Sequence, residues 1–237
     1  MLPILDLHPG YLGNEHLLNE SRLLERILAG EISQLEDESE YASLLPWAKF
    51  SWAAKRRYLW IISELGYRNV KIEPRGAKDW VILCPHAWPR SHYSPAAQLK
   101  WLERSGVGDD SSRIRLPENK QQLWAQHKYS ILARNHNLYK LIGPRVANQA
   151  ARSGYDELAN ELTYSLRLWP EKGGIRNALH HMWGHISPNN DIDPDFNAWS
   201  LSRLIKEITG QVQLKSEPYL NQSTALTEIQ TYLSEPE

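Results

Sequence analysis

The chain has 237 residues, with 27 Lys and Arg against 28 Asp and Glu, 41% hydrophobic residues and one cysteine, Cys84. That length holds one large domain or two small ones, and a lone cysteine excludes an internal disulfide or a cysteine-built zinc cage, as suits a reducing cytosol. The longest apolar stretches, such as Tyr58 to Ile62, fall far short of the roughly 20 residues of a spanning helix, and no leader pattern follows Met1, so a cytoplasmic protein with no membrane partner is expected.

In chain order, Asn14 precedes a helix that stops at Gly30, with Leu17, Ser21, Leu24 and Leu28 on one face. Glu36 to Glu40 reads as an acidic linker, after which Pro46 opens a long run to Gly66. Val70 to Glu73 and Trp80 to Leu83 flank Pro74, Arg75 and Gly76, the pattern of a small β-hairpin. Ser94 with Pro95 starts a third helix that Gly106 closes, and Pro117 opens a fourth through Trp124, His127, Lys128 and Ile131. A break at Asn135 to Asn137 leads to a helix that Gly143 and Pro144 end or kink. Beyond Gly154 come Tyr155 to Trp169, Ile175 to Ile186, a helix from Asp193, Pro194 and Asp195 to Gly210, and a last one after Ser223. The expected fold is mainly α, a compact body of about eight helices with one small hairpin near residues 70–84.

Charge is segregated along this frame. Residues 1–48 hold 2 basic and 9 acidic groups, residues 49–152 hold 19 and 7, and residues 153–237 hold 6 and 12. A basic middle segment with Trp and Tyr among its Lys and Arg suits a polyanion, because phosphates are neutralised by clustered cations and unpaired bases stack on aromatic rings. The alternative is that the three segments mix in space and their fields cancel.

His8, Pro9, Gly10, Tyr11 and Leu12, then His16 to Arg22 (HLLNESR) and Arg26, resemble the N-terminal signature of the pyrimidine-dimer DNA glycosylases, the phage endonuclease V family. Lys55, Arg56 and Arg57 followed by Ile61, Glu64, Gly66 and Asn69, and Asn137 to Lys140 with Gly143, continue the likeness over residues 1 to about 145. Leu123 to Gly143, Asn177 to Gly184 and Pro218 to Leu220 are similar to the YbgA-like proteins, a family without an assigned activity. The two resemblances divide the chain into an endonuclease V-like domain at 1–148 and a helical YbgA-like extension at 149–237.

The first resemblance implies a partner, duplex DNA, and a chemistry without cofactor or metal. An α-amine attacks C1′ of the damaged nucleotide, the base leaves, and a helix carboxylate drives β-elimination. An α-amine suits this because its pKa of about 7.7 to 8.0 leaves more free nucleophile than a lysine. Carried over by position, the amine is that of Met1, Arg22 and Arg26 grip phosphates from one helical face, and His16 stands beside them. Lys55, Arg56, Arg57, Lys128 and Lys140 are expected as contacts to the nucleic-acid backbone. The bulky Leu2 keeps Met1 in place, which shifts the amine one residue forward of the family's usual start. One position departs from the pattern: Leu23 stands where the family has its catalytic Glu. Helical geometry puts Leu23 outside the Leu17/Leu24/Leu28 stripe, where it is expected to face the cleft, with Glu20 on the border of the core and Glu25 pointing away. A non-catalytic DNA or RNA binder, or an unknown reaction of the YbgA-like half, are the competing readings.

Two further constellations are weaker. His181 and His185 have the i, i+4 spacing of a metal-binding pair beside His180, with no third ligand in view, so packing is the expected role. Cys84, His86 and His92 make a cysteine–histidine group only if the tertiary fold gathers them.

Overall fold

The computed structural model describes residues 4–31, 38–72, 86–91, 93–105, 111–148, 154–187 and 196–234, the side chains of residues 38–43 excepted. Among these residues there are eleven α-helices and no strand. The mainly helical fold is as expected, with more helices than the eight counted from the sequence. The hairpin proposed for residues 70–84 lies for the most part outside the described residues, as do Met1, Cys84 and His92. No described helix is long and apolar enough to cross a membrane.

The chain divides into two compact units, Met1–Ser112 and Arg113–Glu237. The fourth and fifth sequence-expected helices, assigned by resemblance to the N-terminal domain, are thus grouped with the C-terminal unit.

The first unit begins with buried residues from Ile4 and a 3₁₀ turn, Pro9–Tyr11, whose start is capped by His8: its Nδ1 accepts from the Gly10 amide at 3.0 Å. Four helices follow: α1 (Asn14–Leu28), α2 (Glu38–Lys49), α3 (Ser51–Tyr67) and α4 (Pro95–Ser105). Pro46 does not open a helix. It lies inside α2, and the break comes at Phe50, whose φ of −112° and ψ of 56° leave the helical region. The helix begins among the glutamates read as a linker, where acidic side chains favour a helix N-terminus. α1 packs chiefly on α3, and the side chains sealed between the elements include Leu7, Leu12, Leu17, Leu24, Ile61 and Leu65.

The second unit is built on α5 (Lys120–Arg134), which packs on α8 (Lys172–Ile186), α6 (His136–Ala147), α7 (Tyr155–Ser165) and α11 (Ala225–Ser234). Asn119, rather than Pro117, caps α5, accepting from the Gln122 amide at 2.9 Å; Asn135 alone separates α5 from α6 and caps the latter through the Leu138 amide. Pro144 lies within α6, which runs on to Ala147. α9 (Leu201–Lys215) is capped by Ser200 and passes through Gly210 to a left-handed Ser216, so that glycine is no stop signal; a one-turn α10 (Pro218–Asn221) follows. α5 and α8 touch so closely that a Cβ on Gly174 would stand 2.2 Å from the Ala133 carbonyl oxygen, which explains the glycine there. α11 is buried through a polar seam. Glu228 accepts from Ser130 Oγ at 2.6 Å and pairs with Arg134, Ser130 meets Thr224 at 2.8 Å, and Arg113 donates to the Ser223 carbonyl at 3.0 Å. Each buried polar group in this seam is matched, as burial requires.

Candidate nucleic-acid interface

The two faces of α1 do different work. One face buries Leu17, Leu24, Ile27 and Leu28, together with Glu20 and Leu23, which is only 6% exposed. The other, Leu18, Ser21, Arg22, Glu25 and Arg26 at helical spacing, lines an open cleft of about 450 Å³ with Lys71 and Ile72. This corrects the expectation for residue 23. The leucine stripe alone suggested a narrow buried arc, but the buried arc is wider, so Leu23 is core and is not among the cleft's lining residues. The carboxylate on the open side is Glu25, whose Oε1 accepts a hydrogen bond from the Tyr58 hydroxyl at 2.7 Å. Burial and the adjacent carboxylate push the Tyr58 phenol well above its ordinary pKa, so it remains a donor.

Arg22 and Arg26 therefore lie together on the cleft, Arg22 exposed and Arg26 half-buried. His16 does not join them. It is 3% exposed, with Nε2 3.5 Å from Glu20 Oε2 and neither ring nitrogen in a shorter polar contact. Glu20 is in turn held by Arg57, whose Nε and Nη2 donate to its two oxygens at 2.6 and 3.1 Å while Nη1 donates to the Leu7 carbonyl. Burial raises the Glu20 pKa, but the guanidinium and His16 more than reverse this, leaving the carboxyl below the usual glutamate range.

Two of the expected backbone contacts are thereby corrected. Arg57 is fully buried and turned inward. Arg56 is 4% exposed, with its guanidinium 5.2 Å from the ring centres of both Trp52 and Trp60, one turn before and one turn after it on α3. Such a cation–π sandwich holds the charge without a phosphate. Lys55 is half-buried on the same helix; Lys128 and Lys140 belong to the second unit, Lys128 half-buried and Lys140 exposed. Lys71 was missed in the sequence because it falls in the segment read as a β-strand.

In the second unit His180, His181 and His185 do not converge. The ring of His180 lies 4.8 Å from that of Phe196, and His185 lies 4.8 Å from Tyr219 with Nε2 3.5 Å from Glu217. Among the described residues no group of three or more His, Cys, Asp or Glu is placed to share a metal ion.

Fold and site together define a mainly helical protein with a cationic, carboxylate-bearing cleft in its first unit. Within the second, residues 128–195 match the family model of a protein of unknown function, DUF1722, consistent with the similarity of that region to YbgA-like proteins. The match does not reach residues 1–127, which hold the N-terminal part of the endonuclease V resemblance. No curated protein and no solved structure matches the chain.

Proposed function

We propose that the first unit grips the sugar–phosphate backbone of DNA in the α1 cleft, as a DNA-repair-type protein, with Arg22, Arg26 and Lys71 as phosphate contacts. The observation that supports this reading is that two arginines and a lysine line the same open cleft as one carboxylate. Arginine forks suit phosphate oxygens bidentately, and cations flanking a cleft concentrate a polyanion there. Glu25, held by Tyr58, is the group available for proton transfer in a glycosylase and lyase reaction. It takes the role that residue 23 has in the resembling family, with the Met1 amine as nucleophile. General acid–base help of this kind is worth roughly 10² to 10⁴ in rate.

Fluorescence anisotropy on labelled duplex DNA across a salt series tests the binding claim. Arg22→Ala and Arg26→Ala are each expected to weaken binding and to lower the slope of log K against log salt by about 1. Unchanged affinity and slope in both variants would refute it. Borohydride trapping on duplexes with an abasic site or a pyrimidine dimer then separates an enzyme from a binder. A covalent adduct that Glu25→Gln depletes of strand-cleaved product marks the lyase; binding with no adduct marks a non-catalytic binder, the reading that Leu23 favours.

A further inference from the structure

The Lys128 ammonium lies over the faces of two tyrosine rings, 4.7 Å from the centre of Tyr129 and 5.0 Å from that of Tyr219. Among the described residues no acidic side chain pairs with it. Glu217, two residues before Tyr219, is committed to capping α10 through the Tyr219 and Leu220 amides and stands 3.5 Å from His185. Taking an ammonium half out of water without a carboxylate is costly, and two ring faces and their neutral phenol oxygens recover only part of that cost. Burial by itself would lower the Lys128 pKa, yet the neighbouring phenols hold it above the ordinary lysine value, so the charge is present at neutral pH.

The surroundings are aromatic as well as cationic. Trp124 precedes Lys128 by one turn on the same face of α5 and packs against Tyr139 of α6 with ring centres 5.4 Å apart, and His136 stacks on Tyr139 at 6.4 Å. Trp124 and Tyr139 are half-buried and His136 is exposed, so this shelf of rings reaches solvent one turn along α5 from Lys128.

From this geometry we infer that Lys128, with the hydroxyls of Tyr129 and Tyr219, binds the phosphate of a nucleotide whose base stacks on the Trp124 and Tyr139 rings. An ammonium and two phenol donors suit the oxygens of a phosphate, and an adjoining aromatic shelf adds a stacking partner that is tolerant of base identity. The residues of the site all belong to the second unit. Its phosphate belongs either to a free nucleotide or to a nucleic-acid strand.

Isothermal titration of the full chain with inorganic phosphate, adenosine monophosphate and a short oligothymidylate tests the inference, using wild type, Lys128→Gln and Tyr219→Phe. Adenosine monophosphate is expected to bind more tightly than phosphate. Lys128→Gln should weaken binding by roughly tenfold or more and Tyr219→Phe severalfold, in line with the strength of charge-assisted hydrogen bonds. Tyr219→Phe keeps the ring, so an unaltered melting temperature beside weakened binding distinguishes a ligand contact from a packing defect. Binding of the mononucleotide identifies a free nucleotide as the source, and binding of the oligothymidylate alone, weakened by Lys128→Gln, identifies a strand. Absence of binding by all three probes, or equal binding by wild type and both second-unit variants, overturns the inference.

Discussion

Replacing Arg57 by methionine separates an internal role for this residue from an outward one. In the wild-type protein its guanidinium is fully buried against Glu20, itself 2% exposed, and the Leu7 carbonyl. Methionine fills much of the same volume but leaves a buried carboxylate uncompensated, a loss of about 3–5 kcal/mol, set against the roughly 5–15 kcal/mol that holds a typical domain folded. Hydrogen exchange of the α1 and α3 amides reads the first unit by itself, and protection there should fall accordingly. The pH dependence carries the sign. Glu20 has a folded pKa below its unfolded value near 4.5, so its pair contributes stability above that pH and loses it as pH falls through the folded pKa. In Arg57→Met burial, the largest cause, is opposed by His16 alone, and the folded pKa rises. The variant should then lose stability as pH rises past 4.5 and regain some on mild acidification. The double variant Glu20→Leu/Arg57→Met should recover most of the protection, because a buried pair replaced by apolar groups is close to neutral. Wild-type exchange protection in Arg57→Met together with weakened DNA binding would refute this reasoning and return Arg57 to the surface.

Leu23→Glu, which would restore the resembling family's carboxylate, is expected to destabilise the first unit by several kcal/mol because residue 23 is core; urea unfolding followed at α1 checks this, and a stable, more active variant would contradict it. Gly174→Ala sets a methyl against the Ala133 carbonyl and should cost about 1–3 kcal/mol, read as a lowered melting temperature of the second unit. His127 is fully buried, and desolvation, against a backbone hydrogen bond to Leu123, pushes its pKa down to about 4 from 6.5. The unfolded chain therefore binds the extra proton first. Stability of the second unit should rise with pH between about 4 and 6.5, and His127→Gln should flatten that rise in melting temperatures taken across the window.

The helices whose ends carry their own chemistry were legible: Ser94 with Pro95, and Gly154 before Tyr155, mark starts that the structure keeps. The facing of Arg22 and Arg26 was legible too, since i, i+4 spacing fixes their common side whatever packs behind them. Leu23 was not, because the width of a buried arc depends on the elements packed on the helix, and those are supplied from elsewhere in the chain. The basic segment misled for a related reason. Arg56, Arg57 and Arg113 are buried, and Arg68 and Arg134 have side chains 8% and 1% exposed, so much of its charge is spent on internal carboxylates, carbonyls and rings. Charge counted along a sequence gives no sign of where a long side chain ends.

Arg68, at the end of α3, donates to the carbonyls of Leu12, Pro9, Gly10 and Ser111, and to Asn14 and Glu64. Its partners thus span the chain from the first turn to the last residues of the unit. During synthesis the carbonyls around Pro9 to Leu12 must wait for α3 to leave the ribosome, and Arg68 cannot complete its set until Ser111 has followed. Since domains fold as units and contacts between distant residues form late, the Arg68 bonds that tie the opening turn to the rest of the unit are expected to form late. The unit closes, like a drawstring, only when its final residues arrive.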